Sequence, residues 1–405
     1  MKEDKNLIIE TFNAAVKNHQ KDNLQDAIKL YKKVIEINQN YPKAYNNLGL
    51  IFIRLKDYQK AKNFLKKATK VDPKNIDALN NLGGTFHLLG DYEEAKNCYK
   101  KAIEINPLDA LAYNNLGVVF KELGKNLKAI DYFKSTKRID PNFDCEVNFA
   151  EAYLKLRDPK NSLTLLEDYL KKYPQDSRAN AYKTIALRGL EKFNQIEKLI
   201  SFPNLVKKID AQILTKENIF KFNKELRNAL IKDPRRRPEK NTFGWAIRGG
   251  TVIRNLFDTD NSSIIKFEIF LRKAIDYYIA NLPNNVEHPF LMAKKKDYSI
   301  HTCWVNFLDP GDYQSNHIHN NGWMSGVYYL DEPEIELNNE HAGWIEFNRA
   351  GYNLPHFAGE KGIELIKPKA GIFIFFPSYI WHGTIPYTHK YSRISISFDI
   401  RINAI

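Results

Sequence analysis

A spacing of 34 residues constrains this chain more than any other feature it carries. Ala27, Ala61, Ala95 and Ala129 recur at that interval, as do Gly49, Gly83 and Gly117, and Pro73, Pro107 and Pro141. Residues 45–49 (Tyr-Asn-Asn-Leu-Gly), 79–83 (Leu-Asn-Asn-Leu-Gly) and 113–117 (Tyr-Asn-Asn-Leu-Gly) are near copies of one another. Such a period fits one helix–turn–helix unit, which cannot bury its apolar face alone, so the units must stack. The glycine falls in the first helix of each unit and lets the second approach closely. The small alanine does the same from the second helix. The proline follows that helix, where its fixed φ and missing N–H suit the start of the next unit. The period predicts about five full units over residues 7–172 and a degenerate pair reaching about residue 200. The pattern decays after Asn148, as expected of capping units.

These segments resemble tetratricopeptide repeats over nearly half the chain. The resemblance implies an all-α superhelix over residues 1–200 that binds proteins or peptides. Asn13, Asn47, Asn81 and Asn115 share one repeat position on the first helices, which in such repeats line the concave face. The series is similar to the asparagine ladder of O-linked N-acetylglucosamine transferases. That likeness implies that the amides, which both donate and accept, hold a peptide backbone. The alternative is that they satisfy hydrogen bonds between helices. At the next position the ladder is broken by Phe149.

At 405 residues the chain is too long for one ordinary domain, and 43% hydrophobic content suffices for real cores. Cys98, Cys145 and Cys303 lie far apart, which gives neither a disulfide framework nor zinc-finger spacing and suits a reducing compartment. No signal-like apolar run follows Met1 and no stretch is long enough to span a bilayer, so a soluble cytoplasmic protein is expected. The net charge of +13 is spread over lysines on helix surfaces, with Arg235, Arg236 and Arg237 forming the tight cluster. With no nucleic-acid-binding signature, that charge reads as solubility rather than a nucleic-acid site. The oligomeric state is not legible.

Residues 201–240 read as a helical connector, with a helix over 216–231 capped by Thr215. The run Asp233-Pro234-Arg235-Arg236-Arg237-Pro238 ends it. A second helix over 263–280 places Ile264, Phe267, Phe270, Leu271, Ile275 and Tyr278 on one face, suited to cover a sheet. Beyond Tyr298, segments 301–307, 324–330, 344–347, 363–366, 372–376 and 394–402 read as strands, which argues a sandwich or barrel.

Three features of this region carry chemistry. His317 and His319 sit at i and i+2, so on an extended chain both imidazoles face one side. His382 follows an apolar strand. Arg393 and Ser395 come eleven and thirteen residues later and also share a face. His288, His341, His356 and His389 read as surface or core residues, while His301 stands on a strand upstream of the pair.

The order of these residues resembles the 2-oxoglutarate/Fe(II) dioxygenases, with Asn306, 316–319 (Asn-His-Ile-His), 325–329 (Ser-Gly-Val-Tyr-Tyr), Phe376-Pro377 and 393–398 (Arg-Ile-Ser-Ile-Ser-Phe) carrying the likeness. It is similar to one bacterial branch of that superfamily. The resemblance implies an α+β multidomain chain whose residues 241–405 form a double-stranded β-helix, or jelly roll. It implies Fe(II) held by His317 and His382, with 2-oxoglutarate held by Arg393 and Ser395. Where that family carries a carboxylate ligand, this chain has His319. Three readings stand: His319 binds the metal, His319 stays off it and leaves two histidines and a water, or the domain is inactive. The expected function is hydroxylation of a peptide or protein presented by the repeats. The alternatives are a small-molecule oxygenase that uses the repeats for assembly, and a non-enzymatic adaptor with a cupin-like metal-binding domain.

Overall fold

The computed structural model describes residues 2–238, 246–295, 297–331, 340–357, 359, 361–386 and 392–403. The chain divides into two compact units, Met1–Ala152 and Tyr153–Ile405.

The first unit is all-helical. Its helices are α1 (Lys2–Gln20), α2 (Leu24–Ile37), α3 (Pro42–Arg54), α4 (Tyr58–Val71), α5 (Ile76–Leu88), α6 (Tyr92–Ile105), α7 (Ala110–Glu122), α8 (Asn126–Ile139) and most of α9 (Glu146–Lys155). Side-chain caps start several of them: Asp57, Asn75 and Asp109 accept from the amides of Lys60, Ala78 and Ala112. The glycine series works as the period predicts. A Cβ at Gly49 would lie 2.4 Å from Leu65, at Gly83 2.7 Å from the Tyr99 ring, and at Gly117 2.6 Å from the Phe133 ring. Leu65, Tyr99 and Phe133 are themselves 34 residues apart, so each unit seats a large second-helix side chain on a bare backbone.

The decay after residue 148 has a physical cause. Where the glycine would fall stands Glu151, buried and held by Lys121 Nζ at 2.5 Å. Where the asparagine would fall stands Phe149, whose ring lies 5.6 Å from that of Phe133.

The second unit begins with further helices of the repeat type: α10 (Pro159–Lys172), α11 (Ser177–Gly189), α12 (Phe193–Ile200) and the short α13 (Phe202–Leu205). Next come strand β1 (Lys207–Asp210) and helix α14 (Ile219–Ile231), then strands β2 (Arg237–Pro238), β3 (Ile247–Arg248) and β4 (Thr251–Ile253), and helix α15 (Ser262–Ala280). Strands β5 (Tyr298–Leu308), β6 (Tyr313–Gln314), β7 (Met324–Tyr329), β8 (Ile345–Phe347), β9 (Glu364–Ile366), β10 (Ile372–Pro377), β11 (His382–Thr384) and β12 (Arg393–Ile402) complete it. The largest sheet has the order β1-β10-β7-β12-β5-β4-β2, a second is β11-β8-β9 and a third is β3-β6. Among the described residues every strand pairing is antiparallel.

Alternation gives the large sheet two different faces. Ile394, Ile396, Phe398 and Ile400 of β12 share one face with Phe373 and Phe375 of β10 and Tyr328 of β7. Helix α15 covers it, with Phe267 5.3 Å from Tyr328 and Tyr278 5.0 Å from Phe375, ring to ring. Arg393, Ser395, Ser397 and Asp399 point to the other face.

Two local expectations shift. Helix α14 starts at Ile219 because Asn218 caps it through the Lys221 amide; the Thr215 hydroxyl accepts from Glu217 N instead. The connector also contributes a strand, β1, paired along the edge of β10. Its sequence, Lys-Lys-Ile-Asp, buries Ile209 alone and keeps lysines on an exposed edge.

The glycine seating yields a sign test. Gly83→Ala forces a methyl into the buried Tyr99 ring and should destabilise by about 1 kcal/mol net, overpacking outweighing the helix gain. Gly84→Ala, whose Cβ would lie 3.7 Å from the Tyr99 hydroxyl, should be neutral or stabilise by up to about 1 kcal/mol. Thermal melting of the two variants, followed by circular dichroism, checks the opposite signs.

Candidate metal centre

The polar face of the large sheet meets His317, His319 and His382. His317 sits in an isolated bridge to His382, with amide–carbonyl bonds of 2.9 and 3.1 Å in both directions. The extended chain then carries His319 to the same side. The three rings cluster with centroids 4.3–5.0 Å apart. One ring nitrogen from each lies within 4.8 Å of the others.

Each ring is oriented from behind. His317 Nδ1 lies 2.8 Å from the Ser315 carbonyl, and His382 Nδ1 lies 3.0 Å from the Ile380 carbonyl. His319 Nδ1 lies 2.8 and 3.0 Å from the two oxygens of Asp399. These oxygens can only accept, so Nδ1 carries a hydrogen, and in the neutral ring Nε2 presents its lone pair. The Nε2 atoms of His319 and His382 are 3.1 Å apart. Two lone pairs at that distance repel unless a shared proton or a metal ion sits between them. Two imidazole donors at right angles around an ion, each about 2.1 Å from it, would be about 3.0 Å apart. The arrangement therefore fits a divalent ion bound on one face, with its remaining positions open.

Asp399 was not legible as a site residue. Its carboxylate is buried and receives the Ser325 hydroxyl at 2.7 Å and the Thr302 hydroxyl at 3.0 Å. Burial pushes its carboxyl up, but the adjacent His319 imidazole and the bonds from His319, Ser325 and Thr302 outweigh this and hold it below its ordinary value. The strand ladder sets these contacts, since Asp399 stands opposite Thr302 on β5 and opposite Ser325 on β7. A bulge at His301 shifts the register beside them, a device common next to active sites. Trp304 stacks on His319 with centroids 5.8 Å apart.

Further along the same face, Arg393 and Ser395 are both buried. Arg393 Nη1 donates to the Gly343 carbonyl, and its guanidinium carbon lies 5.7 Å from the centre of the Tyr329 ring. Asn306 donates to the Ser397 hydroxyl at 2.9 Å. His288 is buried outside the cluster, with Nε2 3.0 Å from the Leu199 carbonyl. His341 and His356 also stand apart from it, and His389 lies outside the described residues.

The asparagine series is engaged inside the repeats. Asn47 donates to the Tyr31 hydroxyl at 3.1 Å, Asn81 donates to the Asn46 side chain at 2.9 Å, and Asn115 accepts from Asn114 at 3.3 Å. Asn13 is exposed.

Residues 302–399, which hold the cluster, Asp399, Arg393 and Ser395, match the family described as "Putative 2OG-Fe(II) oxygenase". Residues 18–56 and 84–124 match a TPR repeat model, and 42–75, 64–97, 110–143 and 144–176 match tetratricopeptide repeat models. The family models thus place tetratricopeptide repeats N-terminal to a stretch, residues 302–399, that is similar to the putative 2OG-Fe(II) oxygenases. Among solved structures it is similar to pilF of Pseudomonas aeruginosa, at 21% identity and a TM-score of 0.44, covering 49% of this chain and 93% of that one. It is also similar to YrrB, described as a TPR protein with an unusual peptide-binding site, at 23% identity and a TM-score of 0.37, covering 42% and 88%. MamA matches at 24% identity and a TM-score of 0.38, covering 42% and 94%. No curated protein matches the sequence. Among the described residues no helix is long and apolar enough to cross a membrane.

Burial sets the protonation of the candidate ligands. It pushes the His317 imidazole down to about 3, with the neighbouring His319 and then Arg248 acting in the same direction. Burial, then His317 and His319, holds His382 well below its usual value. Both rings are thus neutral at pH 7, the form that binds metal. In the metal-free protein a ring whose folded value is depressed stabilises the fold above its unfolded value. That contribution falls as the pH drops from about 6.5 towards 3, because the unfolded chain takes up the proton first. The urea midpoint of metal-free protein should therefore fall from pH 7.5 to pH 5, and His317→Gln should flatten part of that slope.

Proposed function

We propose that this chain is an Fe(II)- and 2-oxoglutarate-dependent oxygenase that hydroxylates a peptide or protein recruited by its repeats. The observation that carries this reading is the convergence of three imidazoles, each fixed through Nδ1, against a sheet face that also carries a buried arginine. In this reading His317, His319 and His382 hold the iron. Arg393 receives the distal carboxylate of 2-oxoglutarate in a charge-assisted pair, with Ser395 adding a hydroxyl. When bound, the iron and 2-oxoglutarate supply the oxidation of a substrate C–H bond by O₂. The chain's own residues orient the ligands, hold the co-substrate and shelter the pocket behind Trp304.

The two sheets flanking the histidines are read as a jelly roll. In sequence terms the divisions are a repeat domain over 1–200, a connector over 201–240 and the oxygenase-like domain over 241–405, in a cytoplasmic protein. The repeats recruit the substrate, with Asn13, Asn47, Asn81 and Asn115 as candidate contacts. Because Asn47 and Asn81 already donate within the stack, their carbonyl oxygens are the groups a peptide N–H would meet.

Succinate release from 2-oxoglutarate with Fe(II) and O₂ tests the reading. Arg393→Ala should raise the 2-oxoglutarate KM by about 10- to 100-fold, the worth of a hydrogen bond to a charged group. His317→Ala and His382→Ala should abolish turnover, and succinate release that survives all three changes would sink the assignment. Loss of partner capture in an Asn47→Ala, Asn81→Ala, Asn115→Ala variant would support the ladder as a peptide contact; unaltered capture would leave those amides structural.

A further inference from the structure

Asp399 stands behind His319 as seen from the point where the three rings converge. The carboxylate is bonded to Nδ1, on the side of the ring away from that point. Its oxygens are engaged by His319, Ser325 and Thr302, so it is built into the sheet as an acceptor. A site of two histidines and one carboxylate around a divalent ion carries a net charge of +1, and a site of three neutral histidines carries +2. A single buried carboxylate in hydrogen-bond contact with the third histidine returns the cluster to +1.

We infer that Asp399 is a positioning residue for the metal. It fixes His319 with Nε2 towards the ion and supplies, through the imidazole, the negative charge that the ligand set lacks. The inference rests on the reading of His317, His319 and His382 as metal ligands. It accounts for a feature that reading leaves open, namely how a histidine can occupy the place of a carboxylate. Carboxylate–histidine–metal arrangements orient the ring and raise its basicity, and loss of such a partner typically weakens metal binding by 10- to 100-fold. Thr302 and Ser325 act one step further back by holding both carboxylate oxygens.

The test is the Co(II) affinity of the full-length protein, read by optical titration against a competing chelator. The wild type should bind Co(II), and His317→Ala, His319→Ala and His382→Ala should each weaken binding strongly while leaving a residual affinity that the competing chelator can still measure. Asp399→Asn should weaken binding by about 10- to 100-fold and shift the Co(II) absorption bands. In a His319→Ala background the same change should alter the affinity by no more than about twofold, because its effect runs through that ring. A merely structural role would lower affinity equally in both backgrounds. If Asp399→Asn fails to fold, the Thr302→Val, Ser325→Ala double variant carries the test: a several-fold loss supports the inference and wild-type affinity overturns it. Wild-type affinity in Asp399→Asn, with binding still strongly weakened in His317→Ala, overturns the role of Asp399 and leaves the metal site standing. Co(II) binding that is absent, or indifferent to His317 and His382, overturns both.

Discussion

The antiparallel pairing of β12 between β5 and β7 is the constraint on which the rest of the C-terminal unit depends. Because side chains alternate along a strand, this one segment separates two jobs. Its isoleucines and Phe398 anchor the sheet under α15, while Arg393, Ser395, Ser397 and Asp399 share the opposite face, where Asp399 meets His319. A slip of one residue would bury the polar row under the helix and turn the apolar row into the site. The central position in the sheet prevents that slip, since Ser395 and Asp399 each have a partner on both sides.

The same economy appears at the histidines. His317 and His382 are tied backbone to backbone, so the two rings are held together before any ion arrives. The carbonyls of Ser315 and Ile380, each two residues before the ring it orients, fix the tautomer without another side chain. His319 lacks such a local partner and takes a distant one, Asp399, 80 residues on in the chain. The third histidine therefore depends on the tertiary fold in a way the other two do not.

Much of this was legible in the sequence because it follows local periodicity. The 34-residue series located the helix pairs, and runs of aromatic and β-branched residues between turn residues located β5, β7, β10 and β12 to within a few residues. The spacing of His317 and His319 revealed that the two rings share a side, and the spacing of Arg393 and Ser395 did the same for those two. Two kinds of feature were not legible. Strand β1 buries a single side chain, Ile209, so no pattern distinguishes it from a loop. Asp399 lies inside β12 on its polar row, where the sequence does not tell a buried carboxylate from one that meets water. Its role comes from register, which places Thr302 and Ser325 opposite it, and register is not written in either segment alone. Phe149 and Glu151 are an intermediate case: the sequence shows the repeat failing there, and the structure supplies the ion pair and ring contact that replace it.

Trp381 precedes His382 in the chain, and its indole N–H donates to the Ala181 carbonyl of α11 at 3.1 Å. Tyr379 donates to the Leu199 carbonyl at the end of α12 at 2.7 Å, and Ser177 at the start of α11 donates to the Gly322 carbonyl at 3.1 Å. Helices of the repeat type are thus part of the wall that supports the histidines, and the seam between units falls inside the repeat array. An array of this kind changes length by duplication or loss of whole units. Here such variation is free upstream of Tyr153: the chain could exchange those repeats over evolutionary time while α11 and α12 travel with the sheet as a fixed cassette.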